Sequence, residues 1–110
     1  MSVDQAQLKR VLEQHSNFLN GRSGGQRADL SFADFSRPDL SGAELRQANL
    51  TGTVMRDTNC RGATLEDACL FAADCRRAKF GKANLSPVDT RGAILSRADL
   101  EQIQSKLNRF

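Results

Sequence analysis

Few residues in this chain could do covalent or metal chemistry, and their spacing does not favour it. There are three cysteines, Cys60, Cys69 and Cys75, and one histidine, His15. No CxxC pair occurs, and the odd count fits no closed disulfide framework, so free thiols in a reducing compartment are the expectation. A zinc site would need four converging nitrogen or sulfur ligands, and this set does not supply them. No Ser-His-Asp or Cys-His arrangement, metal-ligand cluster or phosphate-cradling glycine loop stands in the sequence. The glycines Gly42, Gly52, Gly62 and Gly92 instead recur at one fixed place in a repeat. The chain reads as a non-enzyme that needs no cofactor and no metal.

That repeat is the element that positions everything else. From Ala28 to Gln102 fifteen pentads follow one another without insertion: ADLSF, ADFSR, PDLSG, AELRQ, ANLTG, TVMRD, TNCRG, ATLED, ACLFA, ADCRR, AKFGK, ANLSP, VDTRG, AILSR, ADLEQ. On an α-helix five residues turn the chain through about 500°, so the leucines would not form one stripe. On a flat strand an odd period would send alternate leucines to solvent. Only a backbone that bends once per pentad keeps the third residue inside, and the chain must therefore be a solenoid. The third residues run Leu30, Phe35, Leu40, Leu45, Leu50, Met55, Cys60, Leu65, Leu70, Cys75, Phe80, Leu85, Thr90, Leu95 and Leu100, apolar except for Thr90. Each buried leucine contributes ~1.5 to 3 kcal/mol relative to exposure. The first residues are alanine in eleven pentads, with Pro38, Thr53, Thr58 and Val88 as substitutes, small enough for narrow walls to close. Cys60 and Cys75 fall inward and Cys69 outward. Thr90 and Val88 make VDTRG the pentad where loosening is expected.

The A(D/N)LXX pattern resembles the pentapeptide-repeat family. The resemblance implies an all-β solenoid, a right-handed quadrilateral β-helix with four pentads per coil and hence about 3.75 coils for the fifteen pentads. In the family's notation the first residue is i−2 and the third is i, and these two point inward. Some family members, long acidic rods dimerised at the C-terminus, protect topoisomerases by imitating DNA.

The ends must close the solenoid, because a terminal coil exposes its interior and an unpaired rung. Three segments are expected: an N-terminal capping helix and Gly-rich turn over 1–27, the β-helix over 28–102, and a C-terminal capping helix over 103–110. In the first, Leu8, Val11, Leu12, His15, Phe18 and Leu19 make one apolar stripe. Ser2 is the expected N-cap with Gln5 completing a capping box, Asn20-Gly21 the stop, and 21–27 a flexible turn. His15 reads as a histidine at the edge of a packed face in preference to a ligand or switch. The lead-in LKRVLEQHSNFLNGRSGGQRADL also resembles that of bacterial family members. At the other end Leu100, Ile103, Leu107 and Phe110 recur at helical spacing, Asp99 is the expected cap, and Lys106 and Arg109 suit the negative pole. No apolar run approaches the ~18 residues of a membrane span and no leader pattern appears at the start. A single soluble cytoplasmic domain is expected, monomeric or dimeric through a terminal helix.

Function is expected on the outside. Residues 28–102 hold ten basic and eleven acidic side chains, and the net +3 of the chain comes from its two ends. With four pentads per coil, one side carries Arg37, Arg56, Arg76, Arg77 and Arg97 against Asp34, Asp57 and Asp74. The opposite side, with Glu44, Glu66 and Asp67 against Arg46, is acidic, and a third balances to zero. The fourth has the outward aromatics Phe32 and Phe71 among Ser31, Thr51, Gly52, Cys69 and Ala72. Candidate partner-binding residues are therefore Phe32 and Phe71, with Gly52 leaving a depression between them, and Arg56, Arg76 and Arg77. A rigid protein–protein interaction module with an unidentified protein partner is the leading reading. The alternative, a DNA-mimic protein that interacts with gyrase, is opposed by the short, near-neutral coil. Nucleic-acid binding is not expected, because acidic residues interrupt the arginine side and no aromatic there could stack on bases.

Overall fold

The computed structural model describes residues 2–35, 38–98 and 104–107. Backbone bridges join residues twenty apart in parallel, from Asp29↔Asn49 and Asp34↔Val54 through Glu44↔Thr64 and Asn59↔Lys79 to Asp74↔Ile94. A coil therefore takes four pentads. A turn every five residues leaves one bridge per side, so longer strands form only where the sides run straighter. These are β1 (Ala68–Cys69), β2 (Asn84–Asp89) and β3 (Gln104–Leu107), parallel in the order β1-β2-β3.

The five N–H groups of a pentad can be followed one by one. At i−1 and i they join the coils: Asn49 N–H donates to the Ala28 carbonyl at 3.0 Å, and Leu30 N–H to the Asn49 carbonyl at 2.8 Å. At i+2 the donor again reaches the next coil, Phe32 to the Thr51 carbonyl at 2.8 Å, and the next i−2 closes a turn, Ala33 to the Leu30 carbonyl at 3.1 Å. The fifth, at i+1, is met by the side chain at i−1. Ser31 N–H donates to Asp29 Oδ1 at 3.2 Å, Thr51 to Asn49 at 3.1 Å, Arg61 to Asn59 at 3.1 Å and Ser86 to Asn84 at 3.0 Å. Asp and Asn hold the second place of the pentad because their short side chains bond the backbone two residues on.

Each corner needs a left-handed residue at i+2, the requirement of a type II turn. Gly42 meets it at φ 67°, and Asp57 and Arg77 are held there at 59° and 58°. Pro87 occupies the same place in ANLSP, and its ring fixes φ near −65°. That corner is accordingly different. The Ser86-Pro87 peptide is cis, β2 runs on through it, and its pairing with β3 slips by one residue between Leu85↔Ser105 and Val88↔Leu107. The irregularity thus falls one pentad before the expected VDTRG, in which Val88 and Thr90 are buried.

The inward columns make the core. Residues at i from Leu30 to Thr90 are buried, with Phe35 and Phe80 sealed completely. The threonines at i−2 satisfy their hydroxyls on carbonyls, Thr53 Oγ1 donating to Leu50 at 2.9 Å. Thr58 does more. Pro38, one coil below it, has no N–H to close its turn on the Phe35 carbonyl, and Thr58 Oγ1 donates to that carbonyl at 2.8 Å instead. Thr58→Val keeps the shape and strands a buried acceptor, which should cost ~1 to 3 kcal/mol in urea unfolding. In a Pro38→Ala background the restored N–H takes the bond, so the same change should cost at least ~1 kcal/mol less. Additive effects of the two substitutions would show that Thr58 does not substitute for the missing donor.

Helix α1 (Gln5–Leu19) covers the first coil. Its cap is Asp4, not Ser2: Asp4 Oδ1 accepts from Gln7 N–H at 2.7 Å and Gln7 Oε1 accepts from Asp4 N–H at 3.0 Å. Ser2 and Gln5 are drawn instead to the open rungs of the coil. Ser2 bridges Asp34, and Val3 N–H donates to the Asp34 carbonyl at 3.2 Å. The Gln5 carboxamide, an analogue of a peptide group, accepts from Asp39 N–H at 3.0 Å and donates to the Asp39 carbonyl at 3.5 Å. Leu8 and His15 are buried, Val11 and Leu12 pack half-buried on the core, and Phe18 stays exposed. His15 is therefore inside the packed face, not at its edge. The turn after α1 folds back along it rather than swinging: Gln26 N–H donates to Gln14 at 3.0 Å, and a Cβ on Gly25 would stand 2.5 Å from the Phe18 backbone nitrogen.

The helix expected over 103–110 is not formed at 104–107, which make β3. Asn84↔Gln104 and Leu85↔Ser105 continue the twenty-residue ladder, and the open edge of β2 outweighs the helical spacing of the apolar residues. Residue 103 and residues 108–110 lie outside the described residues, as do Asp99 and Leu100.

Candidate functional site

The candidate residues lie on two adjacent sides of the coil, and the ladder brings them together in two separate groups. On the first side the i+2 column runs Phe32, Gly52, Ala72, Gly92 and the i+1 column Ser31, Thr51, Phe71, Arg91. Phe32 is 69% exposed and Phe71 45%. The Phe32 ring covers Gly52, where a Cβ would meet its Cε1 at 2.5 Å and its Cδ1 at 2.6 Å. Gly52 is thus a seat for the ring, and the expected depression between the phenylalanines is filled. Phe32 does not pack under α1.

Arg91 stands over Phe71, its guanidinium carbon 5.8 Å from the ring centroid. Asp89 holds it there through two bonds, at 3.0 and 2.8 Å. A cation on the ring face is an attraction of the quadrupole type, and it fixes one face of Phe71. Arg91 was not among the expected residues. It stands twenty positions after Phe71, so the coil period could have found it. Cys69, half-buried behind this side, lies 3.3 Å from Thr51 Oγ1.

On the second side the arginines are engaged with carboxylates. Arg76 bonds Asp74 twice at 2.9 Å, and Arg56 Nε reaches the same carboxylate at 3.3 Å. Arg77 bonds Asp57, twenty residues before it, at 2.9 and 3.0 Å. The bond from Arg76 holds the Asp74 carboxyl below the usual carboxylate range, and the bond from Arg77 does the same for Asp57. Arg56, Arg76 and Arg77 therefore form ion pairs across one wall. Ile94, 45% exposed at an i−1 position above Asp74, adds an apolar residue that sequence reasoning did not single out.

Burial pushes the Cys60 thiol far up and the Cys75 thiol up to about 12. Neither is a nucleophile at neutral pH. Among the described residues no helix is long and apolar enough to cross a membrane.

Comparison with known proteins agrees with this geometry. No curated protein matches the chain. Among solved structures, alr5209 from Nostoc PCC 7120, a pentapeptide repeat protein, is similar over 100% of this chain and 89% of its own, with a TM-score of 0.76 and 19% identity. Rfr23, a pentapeptide repeat protein of the cyanobacterium Cyanothece 51142, is 32% identical over 73% of this chain and 58% of its own, with a TM-score of 0.42. HetL from Nostoc sp. strain PCC 7120, a pentapeptide repeat protein involved in heterocyst differentiation regulation, is 34% identical over 74% of this chain and 42% of its own, with a TM-score of 0.40. The model of pentapeptide repeats matches residues 33–70 and 68–104 in eight copies, and with coils of four pentads built on inward leucine and alanine columns, the chain belongs to the pentapeptide-repeat family.

Proposed function

We propose that the chain is a rigid protein–protein interaction module, a right-handed quadrilateral coil of about 3.75 turns over fifteen pentads, with its binding side along Phe32, Gly52, Phe71 and Arg91. The observation that carries this reading is the exposure of both phenylalanines on a side whose neighbouring corner positions are Gly52, Ala72 and Gly92. Phe32 seated on Gly52 and Phe71 under Arg91 are held in place before any partner arrives, and pre-ordered aromatic anchors with few charges around them favour interface centres. The arginine side fits this role less well, because a partner's carboxylates would have to displace Asp57 and Asp74. The near-neutral surface and short coil also weigh against DNA mimicry at gyrase.

The test uses the protein as bait in lysate of its native cell, scored for one stoichiometric partner, followed by binding of that partner to Phe71→Ser and Arg76→Ser variants. Phe71→Ser should weaken binding at least about tenfold, the scale of an aromatic anchor, with Arg76→Ser nearly neutral. Loss with Arg76→Ser alone would move the site to the arginine side. Inhibition of gyrase supercoiling at equimolar protein would overturn the reading in favour of the DNA-mimic alternative.

A further inference from the structure

His15 is the sole histidine of the chain, and it is completely buried between α1 and the first coil. Both ring nitrogens bond the backbone of the coil. Ala28 N–H donates to Nδ1 at 2.9 Å, and Nε2 lies 2.7 Å from the Arg46 carbonyl. A backbone N–H only donates and a carbonyl only accepts, so the ring is neutral with its proton on Nε2.

The two partners are the groups that the absent pentad before Ala28 would have served. Along the coil the N–H at i−2 donates to the i carbonyl of the preceding pentad, as Ala33 does to Leu30, and the i+1 carbonyl accepts from i+2 of the preceding coil, as Thr51 does from Phe32. Ala28 has no preceding pentad and Arg46 no preceding coil. One imidazole supplies both missing bonds, an acceptor on one edge and a donor on the other.

We propose that His15 is a proton-operated latch on the N-terminal cap: the neutral ring closes α1 onto the first coil, and acidification opens it. A proton added at Nδ1 would point an N–H at the Ala28 N–H, with both groups buried, so the closed cap excludes that proton and an opened cap admits it. Closure is favoured while the ring is neutral and weakens as acidification adds the proton the closed cap excludes. The charged groups around the ring do not compensate the added charge. On the linker Arg27 is cationic, its Nε donating to the Gln47 carbonyl. On the coil Arg46 is paired with Glu44 at 3.0 Å. On α1 the ring stacks on Phe18, centroids 5.9 Å apart, and Glu13 is exposed. Opening would free the Ala28 and Arg46 groups as an edge able to pair with another extended chain.

Having only one histidine makes the test direct. Thermal melts of the parent protein and His15→Gln are compared from pH 8 to pH 5. Glutamine retains one acceptor and one donor and does not titrate, while the carboxyls of Asp29, Asp39, Asp57 and Asp74 are held below their usual range by hydrogen bonds and titrate outside this window. The parent should lose about 5 °C or more of Tm, a shift readily resolved for a domain of this size, and His15→Gln less than half as much. Nitrogen NMR of the parent imidazole at pH 7.5 should find the proton on Nε2, and the Ala28 amide resonance should move with the midpoint of the imidazole titration. These two measurements decide the matter if His15→Gln does not fold. A proton on Nδ1 at pH 7.5, a parent Tm that does not change with pH, or an equal loss in both proteins would overturn the latch.

Discussion

One residue inserted after Gly62 lowers Tm by ~10 °C or more, whereas a second copy of residues 43–62 inserted at the same point leaves it within a few degrees. The asymmetry follows from the ladder. Leu65, Leu70 and Cys75 are buried because each stands a whole number of pentads beyond Leu30, and each donates its N–H to the next coil, to the carbonyls of Asn84, Asp89 and Ile94. One extra residue moves the next inward pair to the wall positions, and exposing Leu65 alone removes ~1.5 to 3 kcal/mol. Broken coil-to-coil bonds add to this, and ~1 kcal/mol moves Tm by ~4 to 8 °C in a domain near this size. The chain can absorb a slip at a corner, as the pairing of β2 with β3 does after Pro87, and this sets the lower bound on the loss. A twenty-residue block adds one complete coil with every partner restored. Equal tolerance of both insertions in thermal melts would refute the ladder as the source of stability.

How far the sequence discloses this molecule depends on whether a residue acts through its period or through a particular neighbour. Leu30 to Leu85 and the alanines between them are legible because burial repeats with the pentad, and the repeat of solid geometry leaves little choice. Pro87 was legible in principle, since proline cannot take the left-handed corner, although an outward i+2 position leaves no mark on the inward columns. The Asp and Asn side chains at i−1 close a local bond, visible only once every N–H is assigned a partner. The cap is less legible. Ser2 and Gln5 have the right spacing for a capping box, and Asp4 and Gln7 have it too. Tertiary contact decides, because Ser2 and Gln5 are better used on the rungs at Asp34 and Asp39. The same competition turns 104–107 into a strand against β2. At the candidate site the exposure of Phe32 and Phe71 could be read from the register, while the Phe32 ring on Gly52 depends on a rotamer that no period encodes. The column register places Arg56, Arg76 and Arg77 beside Asp57 and Asp74, but which arginine bonds which carboxylate is a matter of distance.

Deleting residues 1–20 converts the protein into a self-associating species. The segment does two kinds of work on the first coil. Its apolar residues Val3 and Leu8 join the core cluster with Leu30, Phe35, Leu40 and Leu45, so removal bares the interior of the coil. Its polar groups occupy the rungs: Val3 at Asp34, Gln5 at Asp39, and His15 at Ala28 and Arg46. An uncovered apolar end rimmed by unpaired donors and acceptors is the template that edge strands offer to another chain. Association should appear at micromolar protein in size-exclusion chromatography with light scattering, and the melting temperature of the truncated protein should rise with its concentration, as mass action requires of a stabilising oligomer. The body of the coil should survive, because the bonds that join later coils, such as Leu50 N–H to the Cys69 carbonyl and Met55 N–H to the Asp74 carbonyl, are made without the segment. A double substitution in the full chain, Gln5→Ala and His15→Ala, separates the two contributions: it opens the rungs at Asp39, Ala28 and Arg46 and leaves Val3, Leu8, Val11 and Leu12 to cover the end. If that variant associates as the truncation does, the unpaired rungs drive the process, and if only the truncation associates, the bared core does. A truncated protein that stays monomeric and melts like the parent would reduce the helix to an appendage.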